Sequence, residues 1–369
     1  MSAKNRPYDS APPHAWWRRA IADISASNIN PALRGDFEIT SETRIATAGS
    51  CFAQELSKAT AERGYKNYVV EKGPPGLSEE NRLKFGYGLF SARYGNIYTT
   101  RQLVQLLDRA YGRFDSTETA WPGKTGYVDP FRPFVQPEDF ISESELLADR
   151  EQHLECVREM FENMDVFVFT LGLTEGWRAR SDGATYPLCP GYGAGTFNPE
   201  KYEFFNMRVN EVVADLEYVR ERLSELNRNA RILLTVSPVP LVATATGKHV
   251  LEATAYSKSV LKVAAAEVTA AHPSVSYFPS YEIITGTFST DRYYSQDRRS
   301  VTQEGISHVM RCFFSTYSET PESLRERDVA AVESDSRNAP RETINKDLSS
   351  ICDEERLLEI LESADLSKT

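Results

Sequence analysis

The sequence predicts an α/β fold, with a parallel sheet of about five strands and helices on both of its faces. Short apolar, β-branched runs at 44–48, 165–171, 232–236 and 275–279 alternate with longer stretches whose apolar residues recur at helical spacing. The run Val166-Phe-Val-Phe-Thr-Leu171 is almost unbroken in its apolar character, as expected of a strand covered on both sides. With 369 residues, 41% of them hydrophobic, the chain can bury a substantial core.

In chain order, residues 1–36 read as an N-terminal arm, in which Trp16-Trp17-Arg18-Arg19 is expected to anchor through its indoles, because a solvated Trp pair is unusual. The first strand, 44–48, passes through Gly49 and Ser50 directly into a helix over 51–63, with Phe52, Leu56 and Ala59 on one side and Gly64 as its stop. A second short strand is expected at Tyr68-Val69-Val70. Gly95-Asn96 precedes a helix carrying Leu103, Leu106, Leu107 and Ala110, capped by Thr99 or Thr100. Residues 113–142, rich in turn chemistry, read as a surface excursion, and 143–163 as a helix.

The central strand ends in Gly172-Leu-Thr-Glu175, and the Gly/Pro-rich stretch 182–199 reads as a substrate loop. A helix over 206–227 leads into the strand at 232–236. A loop containing His249 precedes a helix with Ala255, Leu261 and Ala265, and the loop 293–304 enters a last core helix behind Thr302 and Glu304. Charges dominate from Ser318 onward, so a globular domain over 37–317 and a poorly ordered tail over 318–369 are expected.

The formal net charge of -11 argues against nucleic acid or an anionic membrane as the main partner. Five scattered cysteines without zinc-type spacing read as reduced thiols in a cytoplasmic protein, with no metal expected. Gly-x-Gly-x-x-Gly is absent after the first strand, no cofactor is expected, and no stretch approaches a membrane span.

Ser50 is the candidate nucleophile. A strand ending in Gly-Ser before a helix holds the hydroxyl at the C-terminal edge of the sheet, and the helix aims free N–H groups at an oxyanion formed there. The competing reading is an ordinary helix N-cap. Cys51 reads as a small buried thiol.

Gly49-Ser-Cys-Phe-Ala53 resembles the signature of the GSCFA family. The likeness continues through Tyr94-Gly-Asn-Ile-Tyr98, Thr170-Leu-Gly-Leu-Thr-Glu-Gly-Trp177, Ser237-Pro-Val239, Ser257-Lys-Ser259 and Tyr277-Phe-Pro-Ser-Tyr-Glu282. That family is similar to the SGNH/GDSL hydrolases, which implies a three-layer flavodoxin-like fold and ester or acyl-transfer chemistry on a serine. On this resemblance Ser50 is the first-block nucleophile, Gly95 with Asn96 occupies the second block, and Gly172 with Thr174 stands where Gly-x-Asn is expected. Thr174 thus replaces an amide donor by a hydroxyl that must rotate to donate.

The last block, Asp-x-x-His, reads Asp297-Arg-Arg-Ser300 and lacks its histidine. His14, His153 and His272 read as surface or packing residues, and His308, the lesser candidate base, lies about 9 Å along the last helix from Thr302 and is expected to point away from the serine. His249 becomes the candidate base, because its loop leaves the same sheet edge as Ser50. Glu175 is a further acid-base group, or a salt-bridge partner of Arg178. The expected function is a serine-dependent esterase or acyltransferase acting on an acyl ester of a small molecule or glycan. In that scheme Ser50 attacks, His249 takes the proton and Asp297 balances the imidazolium. Backbone and side-chain donors at Ser50, Gly95, Asn96, Gly172 and Thr174 hold the oxyanion, and Glu175, Trp177 and Tyr192 contact substrate. The alternative is a catalytically impaired module that binds an acylated sugar or a partner protein.

Overall fold

The computed structural model describes residues 6, 8–33, 35–289 and 291–318, with Cys51 and Phe52 described in their backbone only. The expected tail, from residue 319 onward, lies outside the described residues. The chain divides into two compact units, one spanning Ile39–Tyr277 and one combining residues up to Glu38 with those from Phe278.

In the larger unit, β1 (Ile45–Gly49) runs into α1 (Cys51–Glu62), followed by α2 (Glu79–Lys84) and α3 (Thr100–Ala110). A small hairpin of β2 (Trp121–Pro122) and β3 (Tyr127–Val128) precedes α4 (Glu143–Asn163) and β4 (Val166–Leu171). Then come β5 (Glu175–Ala179), β6 (Thr185–Tyr186), β7 (Tyr202–Asn206), α5 (Val209–Leu226), β8 (Arg231–Val236), α6 (Val250–Ala271) and β9 (Val275–Tyr277). The main sheet has the order β1-β4-β8-β9 with every pair parallel. Its register sets Gly49 opposite Thr170 and Thr170 opposite Thr235, so the C-terminal ends of three strands form one edge. All of β1 and β4 is buried, α1 packs on β1 and β4, and α6 packs on β8 and β9. The result is the expected three-layer α/β/α arrangement.

Four strands form this sheet rather than about five. In the segment 68–70 the Tyr68 N–H donates to Ile45 O and the Val70 N–H to Ser91 O. Its hydrogen bonds are thus divided between two partners, and only an isolated bridge joins Asn67 to Ile45.

Two further expectations are corrected. Residues 113–142 are no surface excursion, because Trp121, Asp129, Phe131, Arg132, Val135 and Phe140 are all buried. Trp121 and Phe131 pack edge-on and tilted against Tyr186, over the antiparallel sheet β6-β5-β7, and build a second core around aromatic rings. The stretch 182–199 contributes Ala184, Tyr186 and Ala194 to that core rather than serving only as a loop. Among the described residues no helix is long and apolar enough to cross a membrane.

In the smaller unit, α7 (Ser280–Thr285) and α8 (Gln303–Tyr317) pack together. The arm residues are fixed here, with Asn30 Nδ2 donating to Ser315 Oγ at 3.1 Å. The indoles of Trp16 and Trp17 are not the anchors, being 40% and 67% exposed. Trp16 instead meets Tyr8 edge-on at 5.9 Å, and the buried Ile29 supplies the apolar contact of the arm.

Candidate functional site

The site begins where β1 ends. Gly49 has φ of +132°, and a methyl group at its α-carbon would lie 2.3 Å from the Thr170 carbonyl oxygen. Only glycine lets β1 turn here while lying against β4. The Gly49 carbonyl accepts the Ile97 N–H at 2.8 Å, which docks the 95–98 segment beside the junction.

Ser50 follows as the N-cap residue of α1, but its side chain makes no capping bond. Ser50 is 4% exposed, and its Oγ has no hydrogen-bond partner among the described residues. The Ser and Thr N-caps of the other described α-helices behave differently. Ser78, Thr99, Ser142 and Thr302 each accept an N–H from the first turn of their own helix. A buried hydroxyl without a partner costs roughly 1–3 kcal/mol, so this serine is not explained by helix capping.

Gly172, at the end of β4, forms the wall facing Ser50. A methyl group there would stand 3.3 Å from Ser50 Cβ and 3.1 Å from the Tyr98 carbonyl oxygen. That carbonyl accepts both the Gly172 and the Leu173 N–H, at 3.2 and 2.8 Å. The Gly172 amide is therefore committed internally. The Thr174 hydroxyl likewise donates to Asn206 Oδ1 at 2.7 Å and its N–H to Ser257 Oγ at 3.1 Å.

Gly95 has φ of +70°, and its N–H has no acceptor among the described residues. Asn96 is buried, and its Oδ1 accepts from Gln54 Nε2 at 3.3 Å, one helical turn beyond Ser50. Gln54, Gly95 and Asn96 line a cleft together with Arg93, Phe131 and Arg132.

The expected base is not joined to the serine. His249 is the exposed N-cap of α6, and its Nδ1 accepts the Leu251 N–H at 3.1 Å. With Nδ1 so engaged, a neutral ring carries its proton on Nε2 and offers no free lone pair. Three of the other histidines are also committed, and His14 is exposed in the arm. His153 Nδ1 lies 2.7 Å from Glu71, His272 Nε2 lies 2.8 Å from Glu217, and His308 bridges Tyr293 OH and Ile29 O.

Asp297 and Ser300 lie in the smaller unit and close on each other. Asp297 accepts the Arg299 and Ser300 N–H groups at 3.0 Å and the Ser300 hydroxyl at 2.5 Å. Burial opposes its charge, yet these bonds hold the carboxyl below its ordinary range. Serine in place of the histidine therefore gives a self-contained loop.

Glu175 is buried and accepts the Thr244 hydroxyl at 2.9 and 3.0 Å, whereas Arg178 pairs with Glu203. Burial raises the Glu175 carboxyl, against the opposing bonds from Thr244 and Ala245. Trp177 packs edge-on against Phe197 and Phe204, and half-buried Tyr192 sits in the loop after β6.

One residue of this site was given no role from the sequence, although it lies in the Ser257-Lys-Ser259 motif. Lys258 is 1% exposed, and its Nζ donates to the Gly172 carbonyl at 2.8 Å, tying α6 to the wall beside Ser50. The available signal was its helical spacing to Leu261 and Ala265, which puts a lysine on the apolar face of α6. Among the described residues no three His, Cys, Asp or Glu side chains converge as metal ligands.

No curated protein matches the chain. The model of the GSCFA family matches residues 44–313, more than two thirds of the sequence, from the start of β1 into α8. The chain belongs to the GSCFA family.

Proposed function

We propose that this protein is a serine-dependent enzyme of acyl-ester chemistry, an esterase or an acyltransferase, with Ser50 as nucleophile. The observation that carries the reading is the Ser50 hydroxyl, buried at the sheet edge, without a partner and not capping its helix. Such a group is held at a cost to stability in the place where a substrate carbonyl would meet it. The first-turn N–H groups of α1 and the amide of Gly95 supply the oxyanion donors, with Asn96 beside them. For His249 to accept the proton, its ring would have to leave the cap of α6. Lys258 is the group that contacts bring to the wall of the Ser50 site, through its bond to Gly172, and as a neutral amine it would be the proton acceptor.

A second reading has its own support. Asp297 is closed on Ser300, and none of the described histidines bonds to Ser50. This is the pattern expected if the chain binds an acylated sugar or a partner protein without turning it over.

Fluorophosphonate labelling separates the two. An activated Ser50 is expected to label in the wild type and not in Ser50→Ala, and the same pair should differ in turnover of short-chain p-nitrophenyl esters. Equal turnover in wild type and Ser50→Ala would sink the serine mechanism, and absence of labelling would favour the binding module.

A further inference from the structure

Beneath the cleft that reaches Gln54 and Asn96 lies a cluster of buried charges. Arg132 is 2% exposed, with Nε on Asp129 at 2.8 Å and Nη2 on Asp149 at 2.7 Å. Its third nitrogen, Nη1, is buried and has no acceptor among the described residues. Arg93 gives Nε to the Phe85 carbonyl and Nη1 to Asp149, both at 2.8 Å. Arg150 takes the remaining face of Asp129, with Nη2 at 2.8 Å from Oδ1. Arg109 lies 3.7 Å over the Phe131 ring, with Nε and Nη1 also lacking acceptors.

The charges do not balance. Arg93, Arg109, Arg132 and Arg150 face Glu71, Asp129 and Asp149, and His153 adds no positive charge near neutral pH. Burial, reinforced by Arg132, pushes the His153 ring down to about 4. Burial opposes the charge of Glu71, but the His153 N–H, Arg132 and the Arg93 amide hold its carboxyl well below the usual range. A cation in excess inside the protein, carrying a buried N–H with no acceptor, is strongly unfavourable unless an anion completes it.

The cleft shows what kind of anion. Arg93 and Arg132 line it, and so do the rings of Phe90, Phe131 and Phe134. The lining also includes Gln54, Gly95 and Asn96, the residues next to Ser50. Guanidinium groups in fixed forks suit carboxylate and phosphoryl oxygens, and the aromatic walls suit an apolar body attached to them.

We propose that this cleft is an anion subsite, in which Arg132 Nη1, supported by Arg93, receives a carboxylate or phosphoryl group of the ligand while its apolar part lies against Phe131 and Phe134. The subsite stands on the arginine cluster alone; only the further step, that the other end of the ligand carries the acyl carbonyl to Ser50, rests on the serine reading.

Titration calorimetry at low ionic strength tests it with three probes: inorganic phosphate, benzoate and neutral benzamide. Wild type and Ser50→Ala are expected to bind an anion saturably, with benzamide at least about tenfold weaker than the preferred anion. Tighter binding of phosphate assigns a phosphoryl ligand, and tighter binding of benzoate a carboxylate. Arg132→Gln should weaken the anion by about ten- to a hundred-fold. Gln54→Glu leaves the arginine cluster intact, adds a carboxylate to the lining, and should also weaken it, so the test survives if Arg132→Gln does not fold. Benzamide binding as tightly as the preferred anion, or no saturation by either anion, overturns the subsite. Anion binding without fluorophosphonate labelling removes the serine reading and leaves the subsite, whereas labelling without anion binding does the reverse.

Discussion

Ser50 and His249 occupy the same position in two helices of one unit, the N-cap of α1 and the N-cap of α6, and they are used in opposite ways. His249 turns its Nδ1 onto the Leu251 N–H and gives its lone pair to the helix. Ser50, a residue type that caps helices well, leaves its first turn without a side-chain bond and keeps its hydroxyl buried and unpartnered. The local rule is obeyed at the residue expected to be a base and broken at the residue expected to be a nucleophile. Departures from local rules of this kind are expected at functional or strained sites.

The largest effect expected from this contrast is at Ser50 itself. Ser50→Ala should remove fluorophosphonate labelling and lower ester turnover by about a thousand-fold or more. Its stability in urea should be unchanged or raised by up to about 1 kcal/mol, because the substitution removes an unsatisfied buried group and no cap. Ser142→Ala is the control, losing about 1 kcal/mol with its cap on α4. A comparable loss in Ser50→Ala would mean that the hydroxyl caps α1 in solution, and the comparison would collapse.

Lys258 comes next. Lys258→Met keeps the apolar volume but leaves the Gly172 carbonyl without its 2.8 Å donor. Stability should fall by about 1–3 kcal/mol, and labelling of Ser50 by about ten- to a hundred-fold, with the pH profile of labelling altered. Lost stability with an unchanged labelling rate and profile would reduce the lysine to a strut.

Acid stability has a separate origin, which matters when a pH profile is read. His153 has a folded pKa lowered to about 4 from its ordinary 6.5, by burial and by Arg132. Below 6.5 the unfolded chain binds the proton more readily, so this contribution is complete above that pH and is lost as pH falls toward about 4. It amounts to roughly 3 kcal/mol. His153→Gln should flatten urea-derived stability across that window. If the wild-type and His153→Gln curves run parallel there, another group carries the acid dependence.

Much of the fold was legible in the sequence, because its signals are local. The apolar run of β4, the stretch 143–163 and the Thr99 and Thr302 caps all appear where their patterns place them. The antiparallel strands β5 to β7 were not legible. Gly176, Arg178 and Glu203 interrupt the apolar alternation, and the strands are held by aromatic packing and the Arg178–Glu203 pair. At the site, the Gly49-Ser50 junction could be read from residue order. The commitments of the Gly172 amide, the Thr174 hydroxyl and His249 could not, because each depends on a partner: Tyr98, Asn206 and the first turn of α6. The Arg132 cluster was hidden for the same reason, inside a stretch whose prolines and aspartates suggest a surface.

The smallest effect tests the other side of the comparison. If His249 only caps α6, His249→Ala should cost about 0.5–1 kcal/mol in urea unfolding, while His249→Asn, a good cap that cannot act as an imidazole base, should restore it. Both variants should label at Ser50 as fast as the wild type. Because the cap is exposed and its loss modest, the folded population at 25 °C stays nearly complete, so a change in labelling could not be blamed on unfolding. A fall of a hundred-fold or more shared by both variants would mean that the ring leaves Leu251 and serves Ser50 as the base. Lys258 would then be left with the Gly172 turn alone.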